Sequence, residues 1–181
     1  MKRILFLCAI VATLASCAPK SDSAATAQAD AVAAAPVNHA AYATSNVDGQ
    51  QRVYDYLKAH SPFFITTVDG DQPRVRPFGS VMVYEGRLYF GMGDKKASYR
   101  QTLLNPLVEI CTCSKDGTWI RLRGKAVFDE RAEVMERVFE LEPELKEIYN
   151  EQTGTEMANF WLDEGVCEFQ NLEGDFECFE F

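Results

Sequence analysis

Two pairs of basic residues carry the chemistry that can be read from this chain. Arg74 and Arg76 stand two apart in PRVRPFG, and Lys95 and Lys96 stand side by side ahead of a helical pattern, all within Phe63–Asn105. Residues two apart on a strand share one face. Two guanidinia on one face suit bidentate binding of an anion. Lysines at the start of a helix oppose its dipole, which is mildly unfavourable until an anion sits there. Together the four residues sketch a cradle for a phosphorylated planar cofactor. The simpler alternative is solvated surface charge balanced by neighbouring carboxylates, which contributes little.

Other reactive residues say less. Arg121 and Arg123 repeat the two-apart pattern, with Ile120 and Leu122 turned inward, and fit dimer or surface charge. Phe78, Tyr99 and Trp119 could flank a flat ring, although aromatics of a small barrel more often fill its core. Cys111 and Cys113 share a strand face, where a disulfide would be strained. Cys167 and Cys178 flank the last hairpin and could pair if their register allowed it; strand cysteines are more often buried thiols. The spacing expected of a metal site is missing, and His60 by itself supplies no second ligand type. No Ser-His-Asp set or carboxylate pair is legible. The glutamates between Glu140 and Glu147 read as a solvated helix face.

The background against which these residues stand is acidic. The 181 residues carry a formal charge of −9, with 47% hydrophobic and 12% aromatic content. That is one domain with a proper core. Such an acidic chain is a poor partner for nucleic acid, whose phosphates must be neutralised, so any positive site must be local. The first residues read as an address. Lys2 and Arg3 precede an apolar run over Ile4–Leu14 that is too short to span a bilayer. Leu14-Ala15-Ser16-Cys17 then resembles a bacterial lipobox. This predicts a signal peptide over residues 1–16 and a lipid on Cys17, and places the domain in the cell envelope, outside the cytoplasm. A plain secretory signal or an uncleaved anchor is the competing reading. Residues 17–48 are rich in Ala, Ser, Thr and Pro, and cannot bury enough apolar surface to order themselves. They read as a disordered tether that includes His39, ahead of a folded domain over 49–181.

The elements that must position the basic pairs follow from periodicity. Gln50–Ala59 has helical spacing. Phe63–Val68, Gln72–Tyr84 and Arg87–Met92 read as strands separated by turns at Asp69-Gly70-Asp71 and Glu85-Gly86. Asp94 offers a helix cap for residues 95–104, which Asn105-Pro106 ends. Leu107–Cys113 and Trp119–Phe128 form a hairpin. Asp129 offers a cap for a helix with Val134, Val138 and Leu141 on one face, and Pro143 opens a shorter one to Tyr149. Residues 154–163 give no clear pattern. Val166–Gln170 and Phe176–Phe181 close the chain as a hairpin. The expected fold is mainly β (α+β), a small antiparallel split β-barrel with two or three helices in the crossovers, closed or covered to hide its edges.

On four motifs the sequence resembles the pyridoxamine 5'-phosphate oxidase-like FMN-binding split barrels: PRVRPFG at 73–79, LYFGMGDKK at 88–96, NPLVEI at 105–110 and WIRLRGKAVF at 119–128. The resemblance runs from about residue 51 to the end. It implies a homodimer with FMN at the subunit interface and a small-molecule redox substrate, with haem or a deazaflavin as lesser alternatives. Arg76, Pro77 and Phe78 would run along the flavin, and Gly91 and Met92 would end the next strand. Lys95 and Lys96 would hold the phosphate, and Trp119 would fall roughly where the oxidases have a polar residue from the partner strand. Met92 lacks the hydroxyl that the family often has at this position. The oxidases' C-terminal substrate motif is not identifiable either, which argues against vitamin B6 oxidation. The resemblance thus implies an oxidoreductase of unknown substrate, or a non-catalytic lipoprotein that carries flavin, haem or another small ligand.

Overall fold

The computed structural model describes residues 43–44 and 46–181. The expected leader over 1–16, Cys17, His39 and most of the expected tether lie outside the described residues. A short β1 (Ala43–Thr44) runs parallel to the last strand. Helix α1 covers Asn46–Ala59 and so begins ahead of the expected Gln50. Gly49 lies inside α1. A Cβ there would come within 2.9 Å of the Phe179 ring, so only glycine allows this close approach.

The remaining elements are β2 (Phe63–Asp69), β3 (Gln72–Phe78), β4 (Val81–Tyr84), β5 (Arg87–Gly93), α2 (Ala97–Leu104), β6 (Leu107–Cys113), β7 (Trp119–Asp129), α3 (Ala132–Leu141), a 3₁₀ turn (Pro143–Glu147), β8 (Met157–Gln170) and β9 (Phe176–Glu180). The predicted extended segment 72–84 is two strands. β3 pairs with β2, whereas β4 pairs with β5. The chain changes partners at Gly79-Ser80, a break that the alternation of side chains does not announce. Both turns fall where expected, with Gly70, Glu85 and Gly86 at positive φ.

All pairing except β1 with β9 is antiparallel, and the main path is β1-β9-β8-β7-β6-β2-β3. β8 joins the two halves. β7 follows one of its edges almost throughout, while the other edge is shared by β5 at Met157–Trp161 and β9 at Val166–Gln170. From Met157 on, the unclear stretch 154–163 thus becomes the first half of a strand whose partners are far away in sequence. The sheet bends where β8 changes partner. Glu164 has positive φ, and the β7 register shifts between Arg123 and Lys125. Gly124 sits in that bulge because a Cβ would lie 2.9 Å from the Asp163 carbonyl oxygen. This is the expected split barrel.

Inside the barrel, Phe63, Ile65, Phe90, Met92, Ile110, Ile120, Leu122 and Phe160 are fully buried. Val53 and Leu57 of α1, one helical turn apart, join the same core. Outside, Val134 and Val138 press α3 onto Met82, Tyr89 and Met157. β5 is therefore covered on both faces, which is why it reads as an unbroken apolar run. Leu141, expected beside the two valines, is exposed.

Asp129 does not occupy the N-cap of α3; Arg131 does, without a side-chain cap bond. Asp129 accepts hydrogen bonds from the Tyr89 hydroxyl at 2.8 Å and from Arg131 Nη2 at 2.9 Å, and Arg131 reaches on to Glu85 at 3.0 Å. This knot fastens the start of α3 to the β4–β5 hairpin. The Arg131 guanidinium, first among the causes, holds the Asp129 carboxyl down at about 2. A carboxyl whose folded pKa is depressed stabilises the fold above its unfolded value of about 3.9, and that contribution is lost as pH falls through the folded value. Asp129→Asn is expected to unfold more easily than the native chain at pH 7. The gap should narrow as pH falls from about 5 towards 2, measured by urea unfolding across that range.

Candidate functional site

The open end of the sheet lies where β5 runs out beside the start of β8. Asp94 anchors it. Its N–H donates to the Glu156 carbonyl at 3.0 Å, and its Oδ1 accepts the Glu156 N–H at 2.9 Å. That bond holds the Asp94 carboxyl below the usual range, with Lys95 at 3.2 Å adding to it. Asp94 therefore clips β8 to β5 and does not cap α2. The N-cap is Lys96, with no side-chain cap bond and no acidic residue in the first turn. The positive end of α2 is left without a neutralising side chain, and it carries a lysine.

Beside this helix end is a cleft of about 400 Å³, which Pro77, Phe78, Gly91 and Lys96 line together with Leu145 and Met157. Four of the expected cofactor residues thus meet in one place although they come from β3, β5 and the turn before α2. Gly91 is needed here. A Cβ would fall 1.9 Å from Met157 Cε and 3.2 Å from Asn159 Oδ1. Glu142 and Glu144 also face the cleft, which the reading of their run as a solvated face missed; Lys58 neutralises Glu142 at 3.0 Å. Only tertiary contact could show this, because the two glutamates lie in a stretch of ordinary surface composition.

The other expected residues are placed differently. Met92 is fully buried in the barrel core. Lys95 faces the neighbouring hollow on the α3 side, beside Tyr149 and Met157. Arg76 turns towards α2, donating to Thr67 Oγ1 at 2.8 Å and Gln101 Oε1 at 2.7 Å, while Thr67 also donates to Gln101. Arg74 pairs with Asp69 at 3.5 Å. The two arginines are thus committed within the protomer. Trp119 starts β7 opposite Gln170, ten residues along that strand from Asp129, and so about 30 Å from the β5 end. Arg121 and Arg123 both bind Glu168 at 2.8 Å, one on each oxygen. Cys167 stands opposite Phe179 and Cys178 opposite Glu168. That one-residue offset turns the two thiols to opposite faces of the ladder, which does not suit a disulfide.

The residues present suit the phosphate end of FMN. The uncapped helix end and Lys96 would meet the anion, and Pro77, Phe78, Leu145 and Met157 give the cleft apolar walls. In the first turn of α2, the Ser98 hydroxyl is also buried without a hydrogen-bond partner among the described residues.

The fold has counterparts among solved structures. A NimC/NimA family protein from Clostridium acetobutylicum is 38% identical over 75% of this chain and 94% of its own, with a TM-score of 0.70. A protein from Listeria innocua named for pyridoxamine 5'-phosphate oxidase is 18% identical (69% of this chain, 98% of its own, TM-score 0.50). A heme binding protein from Mycobacterium smegmatis is 12% identical (76% and 58%, TM-score 0.56). These last two share the fold. No protein-family model and no curated protein matches the chain.

The Gly91–Met157 contact predicts a coupled pair. Gly91→Ala is expected to destabilise by about 1–3 kcal/mol through overpacking. Combined with Met157→Ala, most of that cost should vanish, so a double-mutant cycle in urea should show coupling on the order of 1 kcal/mol.

Proposed function

The chain belongs to the NimC/NimA family, and from that premise we propose that it is an FMN-binding oxidoreductase, homodimeric and lipid-anchored in the bacterial cell envelope. The observation that carries the cofactor reading is the uncapped N-terminus of α2. It opens with Lys96 on a cleft that also holds Pro77, Phe78 and Gly91. Bound FMN would supply the electron transfer. Lys96 and the helix end would hold its phosphate, with Lys95 adding positive potential from the neighbouring hollow. Pro77 and Phe78 would lie along the ring and exclude water. The substrate is a small redox-active molecule, and vitamin B6 is disfavoured.

The dimer reading rests on exposed apolar surface. Val75 is 62% exposed on the edge strand β3, and Leu104 is 88% exposed at the end of α2. Phe64, Leu103 and Leu107, also exposed, lie on neighbouring elements. A second copy over this patch would cover the β3 edge. The anchor reading rests on the lipobox and Cys17.

Titration of the purified full chain with FMN tests the cofactor. Bound flavin bands with a micromolar constant are expected, and Lys95→Ala/Lys96→Ala should weaken binding at least tenfold. An unchanged constant in the double variant would remove the phosphate assignment. A Soret band in place of flavin bands would move the protein to haem, and binding without turnover by any nicotinamide donor would make it a carrier. For the anchor, Cys17→Ser is expected to abolish incorporation of labelled fatty acid and to release the chain from membranes.

A further inference from the structure

Two thiols on β6 have no part in the flavin reading. Cys111 is half-buried and Cys113 exposed, and neither is in a disulfide, whereas Cys167 and Cys178 are fully buried. Along β6, Val108, Ile110 and Thr112 turn inward, while Glu109, Cys111 and Cys113 turn outward. The two sulfurs therefore rise from one face of one strand. The strand beneath them is held firmly. β7 pairs with every residue of Leu107–Cys113, and β2 with Glu109, Ile110 and Cys111. The turn that follows Cys113 is fixed as well. The Ser114 N–H donates to the Thr118 carbonyl at 2.8 Å, and the Thr118 N–H to Asp116 Oδ1 at 2.9 Å. The Cys113 thiol donates to the Ser114 carbonyl at 3.2 Å, a weak bond that a better partner displaces.

The spacing excludes one use of the pair and suits another. Residues two apart on a strand stand about 6.6 Å from each other. A disulfide needs its Cβ atoms about 3.8 Å apart, so the thiols cannot join while β6 keeps its partners. A linear two-coordinate ion asks for less. Its sulfurs lie two metal–sulfur bonds apart, about 4–5 Å if each bond is near the zinc–thiolate length. Two side chains leaning together over one pleat reach that span. Ligand number then selects the ion. No group of three or more Cys, His, Asp or Glu suited to a metal exists among the described residues. Tetrahedral zinc and the hard oxygen-binding cations are therefore not served. A pair of thiolates favours a soft ion, and copper in its monovalent state is the soft first-row choice.

We propose that Cys111 and Cys113 form a two-coordinate site for Cu(I). Binding replaces two S–H bonds by two copper–sulfur bonds and releases both protons, with no electron transferred. The bound pair carries one negative charge. Arg121 stands opposite Cys111 and Glu109 lies two residues before it on the same face. Phe64, at the rim of the exposed apolar patch, is the other neighbour of Cys111. Cys113 lies farther from that patch, six residues and about 20 Å along β6 from Leu107. Trp119 is the cross-strand partner of Cys113, with side chains about 5 Å apart in such a pair. It reports on the site. The second tryptophan, Trp161, pairs with Tyr89 and Val127 elsewhere in the sheet.

The test is an anaerobic titration of the full chain against the Cu(I) complex of bicinchoninate. Cys8→Ser/Cys17→Ser serves as the background, so that only thiols of the domain respond. The chain is expected to withdraw one Cu(I), with Trp119 emission quenched at the same equivalence point. Cys111→Ser and Cys113→Ser should each weaken Cu(I) at least a hundredfold. If Cys111→Ser does not fold, Cys113→Ser decides, because it changes an exposed side chain. Trp119→Phe should remove most of the quenching and leave the copper affinity unchanged. Zn(II) should bind at least a hundredfold more weakly than Cu(I). The proposal is overturned if Cys113→Ser binds with native affinity, if one copper is shared by two chains, if Zn(II) displaces Cu(I) at equal concentration, or if copper binds without quenching Trp119. FMN titrated into the same samples is read separately. Copper binding without FMN removes the flavin alone, and FMN binding without copper removes this inference alone.

Discussion

The fold depends on one strand serving three partners. β8 gives one edge to β7 and divides the other between β5 and β9. A straight strand cannot do this without leaving a gap, so the chain bends at Glu164-Gly165 and β7 follows with its bulge at Gly124. Gly165 exchanges two backbone hydrogen bonds with Phe181, at 2.8 and 2.9 Å, which fix the bend against the last residue. The candidate cleft lies where β5 runs out beside the start of β8.

At that side, charge is arranged by the clip between Asp94 and Glu156. By tying β5 to β8, Asp94 leaves α2 to start two residues later, with lysines and bare amides at its positive end. Met157 packs over Gly91 and gives the cleft wall its shape.

The barrel itself was largely legible. Alternation and turn residues located the hairpins, and the four motifs pointed to the split-barrel fold that the solved structures share. What could not be read was the change of partner at Gly79-Ser80 and the strand over 157–163. Both depend on which distant segment lies alongside, and local pattern is silent on that. The predicted caps at Asp94 and Asp129 fail for the same reason. Each carboxylate has the right local spacing, but each is taken by a stronger partner from elsewhere, the Glu156 amide and the Arg131 guanidinium with the Tyr89 hydroxyl.

The sequence by itself determined the class of fold, the acidic background, and the residues Pro77, Phe78, Gly91 and Lys96 that meet at the cleft. The first two follow from composition and period, and the four residues from motifs that resemble a known family, all of which are local. Only the tertiary structure decided that Arg76 serves Thr67 and Gln101, that Met92 is core, and that Trp119 stands far from the cleft of its own protomer. It also set Asn159 between two strands, its amide oxygen without a partner among the described residues. Which neighbour a polar side chain meets is fixed by the register of strands distant in sequence, and a spacing rule carries no information about that register.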